Sequence, residues 1–179
     1  MSPNNEFRVH VAKDYLVFSS AHFITFAGHR CESLHGHNYR VGVAIEGALD
    51  TQSWYVLDFS VLKRLTKALC DEIDHKVLLP LTNPKLTVEV RDESVAVAYQ
   101  GVPRYVFPRF DCALLDIPNT TVEMLAQYLT RRLRADLPAS VQATAIELEV
   151  EENFGQSATY RERIVEPRES DSNEASETR

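Results

Sequence analysis

Cysteine is scarce in this chain. Cys31, Cys70 and Cys112 are the three among 179 residues. An odd and widely spaced set does not build a disulfide framework, so free thiols in a reducing cytoplasm are expected. Positive charge is also in deficit. The 19 Lys and Arg residues face 26 Asp and Glu, for a net charge of −7. That balance argues against general binding to nucleic acid or to an anionic membrane. An anionic substrate would need its own local cluster of cations. Long apolar runs are absent, so no membrane span is expected. The opening "MSPNNEFRVH" lacks the apolar core of a signal peptide, and no leader is expected there. There is no internal repeat. The length suits one domain with a substantial core.

Apolar periodicity then organises the chain. Residues 7–23 read as one long strand with mixed alternation, and 24–34 as a polar loop. In 35–49, Tyr39, Val41, Val43 and Ile45 share one parity, while Asn38, Arg40 and Glu46 share the other. This is a half-buried strand. "WYVLDF" reads as short and extended. Asp58 is placed to cap a helix whose apolar stripe is Leu62, Leu65, Leu69 and Ile73. Between 76 and 118 lie the strand-like pieces "LTVEV", "VAVAY", "RYVF" and "CALLDI", with turns at "RDES" and "QGVP". Thr120 and Glu123 have capping-box spacing at the head of a second helix, striped by Val122, Leu125, Leu129 and Leu133. "AIELEVEENF" reads as a strand and "SATYRERIV" as its hairpin partner. Residues 166–179 lack apolar content and are expected to be a disordered acidic tail. The order of strands, helix, strands, helix, strands predicts an α+β fold with an antiparallel sheet and the helices on one face.

The segment "CESLHGHNY" carries the chemistry. Residues two apart on a strand share a face. His35 and His37 therefore point the same way, with the parity of the apolar face. His22, at the end of the long first strand, joins them if the two strands pair. Three imidazoles with one coordination position left open are the catalytic pattern of zinc. The plainer alternative is a chance H-x-H beside a core histidine. Cys31 sits in the adjoining loop, where His29, Arg30 and a bound dication would favour its thiolate. Such a thiolate can take a proton from a carbon beside a metal-bound hydroxyl. Cys70 and Cys112, in apolar settings, read as inert. Asp74 next to His75 suits an oriented acid–base imidazole, or a plain solvated helix end. In the last acidic run, Glu152 alone shares parity with Ile146, Leu148 and Val150. An inward carboxylate needs donors, and two adjacent N–H groups of a pterin or purine edge would supply them. A solvated strand end is the alternative.

The stretches "FSSAHF", "CESLHGHNYRV", "LDFSVLK", "DHKVL", "NTTVEMLA" and "LEVEEN" together resemble the 6-pyruvoyl-tetrahydropterin synthase / 6-carboxytetrahydropterin synthase family. That family is a branch of the tunnelling fold, or T-fold. The resemblance covers about residues 7–81 and 113–164. It implies a single T-fold domain over 1–165, with two helices on one face of an antiparallel sheet. It implies zinc on His22, His35 and His37, and Cys31 as the catalytic cysteine with Asp74 and His75 as its partners. It makes Glu152 the pterin anchor, with Thr121 and Glu123 in the segment that holds the pterin ring. The implied substrate is 7,8-dihydroneopterin triphosphate, converted to 6-carboxy-5,6,7,8-tetrahydropterin on the queuosine route. Loss of triphosphate alone would give the 6-pyruvoyl product of the tetrahydrobiopterin route. The implied assembly is a homo-oligomeric ring, commonly a hexamer, in the cytoplasm.

Three features depart from the family pattern. Residues 82–112 look like a β-rich insertion. Glu32 follows Cys31 directly, which is similar to a folate-route variant that cleaves dihydroneopterin to 6-hydroxymethyl-dihydropterin; Glu32 is thus a second catalytic candidate. Asn153 stands where a threonine more usually follows the anchoring glutamate. A non-catalytic pterin- or purine-binding T-fold protein is the reading from another class. Retention of the trio, Cys31 and the Asp74–His75 pair argues against it.

Overall fold

The computed structural model describes residues 7–28 and 30–164. The expected tail at 166–179 and His29 lie outside them. In chain order the elements are β1 (Phe7–His22), β2 (Thr25–Phe26), β3 (Arg30–Cys31), β4 (His35–Gly47), α1 (Phe59–Ile73), β5 (Lys76–Pro80), β6 (Leu86–Arg91), β7 (Ser94–Tyr99), β8 (Val102–Pro108), β9 (Cys112–Leu115), α2 (Val122–Asp136), β10 (Ala143–Asn153) and β11 (Gln156–Arg163). Six strands form the main sheet in the order β11-β10-β4-β1-β5-β9. The first four pair antiparallel, as the alternation predicts. β5 and β9 join in parallel, which the pattern did not reveal. Their connections run through α1 and through the inserted sheet, long enough for a crossover.

The mixed alternation of β1 has a cause. Between Ala12 and Val17 the register advances five residues on β1 against two on β4. This odd excess flips the inward parity. Val11 faces the core before the bulge, and Leu16, Phe18, Ser20 and His22 are buried after it. Bulges of this kind re-aim side chains, and this one aims His22 at the site.

Both helices cover one face, α1 against β1 and α2 against β10 and β11. The Asp58 carboxylate accepts the Ser60 amide at 2.7 Å and caps α1 as expected. The stripe Leu125, Leu129 and Leu133 on α2 is fully buried. The expected capping box does not form. Thr121 is the N-cap of α2, with no side-chain cap bond. The Thr120 hydroxyl instead donates to the Phe23 carbonyl at 2.9 Å, tying the head of α2 to the end of β1. The "WYVLDF" stretch forms no strand; it is a turn that tucks Val56 and Leu57 into the core.

The insertion is a separate antiparallel sheet, β6-β7-β8. Its first hairpin turns through Asp92 at φ 46° and its second through Gln100 and Gly101 at φ 51° and 79°. Consecutive positive φ values match the twist of a tight hairpin. Val95 and Val97 bury against Phe23, Leu79 and Cys112. Cys112 already belongs to β9 of the main sheet, so "CALLDI" is not part of the inserted sheet.

Candidate metal centre

The β1–β4 ladder sets His22 directly across from His35, and Ser20 across from His37. All three rings point to the helix side, and their ligand atoms lie within 4.8 Å of one another. His22 is 2% exposed. Its Nδ1 lies 2.8 Å from the Thr120 carbonyl, and His35 Nδ1 lies 2.9 Å from the Ser33 carbonyl. A carbonyl only accepts, so each Nδ1 carries the proton and each Nε2 presents a lone pair. Those two Nε2 atoms face each other at 3.2 Å. His37 Nε2 is buried and makes no hydrogen bond among the described residues. Two facing lone pairs and this third nitrogen fit a cation among them. Burial holds the His22 imidazole below its ordinary pKa, which keeps it a neutral ligand.

Tyr39 forms the floor. Its ring centroid lies 5.9 Å from that of His22 and 5.7 Å from that of His37, and its other side stacks on Phe18 at 4.6 Å. Burial, with the Glu152 charge added, pushes the phenol pKa up, so Tyr39 stays protonated. Glu152 points inward, as its parity predicts. One carboxylate oxygen stands 3.3 Å from His22 Nε2 and 3.7 Å from His37 Nε2.

Two clefts meet at His37. One, of about 370 Å³, runs past Arg40, Glu152 and Phe154. The other, of about 520 Å³, runs past Asn38 to His75, Lys76 and Asp111. Behind His75, Asp74 Oδ2 lies 2.9 Å from His75 Nδ1, and Asp74 Oδ1 accepts the Ser19 amide at 2.7 Å. Burial works against the Asp74 carboxylate, but the Ser19 amide and the His75 ring hold it below its ordinary range. His75 has φ 55° and its side chain is 82% exposed. A left-handed backbone at a non-glycine residue is strained, and here it turns the ring outward.

Cys31 pairs with Thr25 and packs against the apolar cluster of Phe23, Leu79 and Cys112. Among the described residues it makes no hydrogen bond to Asp74 or His75; its thiol donates weakly to the Glu32 carbonyl at 3.6 Å. The Arg30 guanidinium sits over the Phe26 ring at 5.1 Å. Burial pushes the Cys31 thiol up, and among the described residues Arg104 from the insertion is the cation that opposes it. Glu32 Oε2 is 3.9 Å from His35 Nδ1. Thr121 is half-buried at the head of α2, while Glu123 is exposed there. Asn153 turns its amide oxygen to the Phe154 amide at 2.9 Å. All three cysteines are free, and burial raises Cys70 to about 12, in line with an inert thiol.

Sequence reasoning missed the supports. The Thr120 and Ser33 carbonyls orient two histidines, but a backbone carbonyl leaves no mark in residue identity. Nor did it see the latch beneath them. Asn83 donates to the Thr25 hydroxyl at 2.9 Å and the Pro118 carbonyl at 2.6 Å, while the Asn119 amide donates to the Thr25 carbonyl at 3.0 Å. This fastens the segment before α2 to the segment after β1.

The family model for 6-pyruvoyl tetrahydropterin synthase matches residues 11–163. A Methanocaldococcus jannaschii protein, provisionally named 6-carboxy-5,6,7,8-tetrahydropterin synthase, is 37% identical over 82% of this chain and 90% of its own. The Plasmodium falciparum 6-pyruvoyl tetrahydropterin synthase structure superposes with a TM-score of 0.83 at 32% identity, over 90% of this chain and 100% of that one. A Plasmodium vivax 6-pyruvoyltetrahydropterin synthase, in a variant with a catalytic glutamate replaced by alanine, gives 0.82 at 27% over the same shares. With the fold, the histidine trio and these likenesses agreeing along most of its length, the chain belongs to the 6-pyruvoyl tetrahydropterin synthase family.

Proposed function

We propose that this protein is a zinc-dependent pterin lyase that converts 7,8-dihydroneopterin triphosphate to 6-carboxy-5,6,7,8-tetrahydropterin. The observation that carries the metal is the pair of Nε2 atoms facing each other at 3.2 Å with both ring protons held elsewhere. The name of the M. jannaschii relative supports the product. Zinc suits an all-imidazole set with an open fourth position, and when bound it would acidify C–H bonds beside the substrate hydroxyls.

The chain's own residues supply the rest. Cys31 takes the proton from the carbon side chain of the pterin. Asp74 fixes the tautomer of His75, leaving Nε2 free to exchange a proton with the substrate. Glu152 anchors the pyrimidine edge through two N–H groups, with Thr121 and Glu123 beside the ring. Glu152 adjoins the metal centre, one carboxylate oxygen standing 3.3 Å from His22 Nε2. The homo-oligomeric ring, a hexamer, is supported by the exposed His75 and by the open edges at β11 and β9. A neighbouring copy would bring His75 to a site that Cys31 serves. No helix among the described residues is long and apolar enough to cross a membrane.

A second reading rests on Glu32. Its carboxylate stands 3.9 Å from His35 Nδ1, and the similar P. vivax enzyme is described with a catalytic glutamate. In this role Glu32 would let the site cleave 7,8-dihydroneopterin to 6-hydroxymethyl-dihydropterin. Mass spectrometry of the products separates the readings. From dihydroneopterin triphosphate, 6-carboxy-tetrahydropterin and acetaldehyde are expected. The pyruvoyl compound would replace the product assignment, and the hydroxymethyl compound from dihydroneopterin would give Glu32 its catalytic role. Zinc-loaded protein that turns over neither substrate would leave a binding module and overturn the lyase reading.

A further inference from the structure

The loop that carries Cys31 is held from outside the main sheet. Arg104 and Tyr105 are neighbours on β8. Arg104 Nη2 donates to the Glu32 carbonyl at 2.7 Å. The Tyr105 hydroxyl accepts the Leu34 amide at 3.2 Å. These two bonds bracket the backbone that runs from Cys31 to His35. Tyr105 is anchored in turn: its ring lies against Phe23 at 5.5 Å and stacks on Phe107 at 5.3 Å. Phe23 directly follows His22 in the chain. The Arg104 guanidinium rests near the Tyr105 ring, 5.2 Å from its centroid, so its direction is set as well.

We propose that Arg104 is the positioning residue of Cys31: with Tyr105 it fixes the Glu32–Leu34 backbone and holds a positive charge beside the thiol. The inserted sheet is thereby a working part of the site and not a decoration of the fold. This rests on the reading of Cys31 as the proton-transfer group. Around the thiol, among the described residues, Arg104 from β8 and Glu32 from its own loop are the acting charges, with opposite effects. Arg30 is turned to Phe26, and Cys112 in the same apolar cluster is kept neutral by burial. Removing Arg104 takes away a charge that opposes burial and Glu32, both of which disfavour the thiolate.

The test is the pH dependence of Cys31 alkylation by iodoacetamide, read by peptide mass spectrometry on the zinc-loaded full chain. Arg104 is exposed, so Arg104→Gln and Arg104→Lys leave the core untouched. For Arg104→Gln the midpoint is expected to rise by about half a pH unit or more, while Arg104→Lys, which keeps the charge, stays within about 0.2 units of wild type. Tyr105→Phe keeps the charge and frees the loop; it is expected to leave the midpoint in place and raise the plateau alkylation rate about threefold. The alkaline shift should also appear in the pH profile of turnover for Arg104→Gln. A wild-type midpoint in Arg104→Gln overturns the proposal. A shifted midpoint with turnover indifferent to both Arg104→Gln and Cys31→Ala instead overturns the reading of Cys31 as the base, and the coupling to Arg104 stands.

Discussion

Replacing His35 and His37 together by alanine is expected to empty the metal centre and abolish turnover. Bound zinc should fall from about one per chain to below about 0.1, because one remaining imidazole cannot hold the ion against water. The fold should survive the change. Both rings are partly exposed at the end of β4, while the packing that holds β4 begins at Tyr39 and continues through Ile45. Far-ultraviolet circular dichroism should therefore match wild type, and metal analysis reads the effect directly. Unchanged zinc in this variant would remove the site as drawn. Conversely, metal-free wild type should keep the unfavourable approach of His22 and His35 Nε2, so zinc should raise its melting temperature but leave that of the double variant unmoved.

Cys31→Ala is expected to cut turnover by about a hundredfold to ten-thousandfold, the usual span for losing a positioned acid or base. Zinc should stay bound, since Cys31 stands outside the histidine trio. The effect should fall on kcat more than on KM, because a proton acceptor acts chiefly in the transition state. The side chain is only half-buried, in a two-residue pairing with Thr25, so little stability is at stake. Full turnover with zinc in place would show that another group takes the proton. Glu32 would then be the next candidate, and the Glu32→Gln variant would show a loss that Cys31→Ala did not.

Strand parity alone placed much of the site. From Tyr39 to Ile45 the alternation is clean, so the inward aim of His35 and His37 was legible. Glu152 was legible in the same way from Ile146, Leu148 and Val150. His22 was not, because three extra residues between Ala12 and Val17 reverse the parity that its upstream neighbours suggest. Its place at the end of the long strand offered it as a third ligand if β1 and β4 paired, and the family resemblance then put it with the others. The capping box at Thr120 had the right spacing and failed, because the Thr120 hydroxyl found a carbonyl on the neighbouring segment. Local pattern lost there to a tertiary hydrogen bond. The parallel addition of β5 and β9 also escaped, since pairing partners are set by crossover connections and not by local periodicity. Arg104 and Tyr105 lie about 70 residues from the loop they hold, in a segment that reads as a plain hairpin.

The account stands on the claim that turnover occurs at a zinc ion held by His22, His35 and His37. The direct test is a titration of zinc into metal-free protein, with bound metal and pterin product followed together. Turnover should rise in proportion to bound zinc and stop rising at about one ion per chain. The double variant His35→Ala/His37→Ala should show neither binding nor product. Full turnover in the metal-free protein, or product formation that ignores bound zinc, would contradict it.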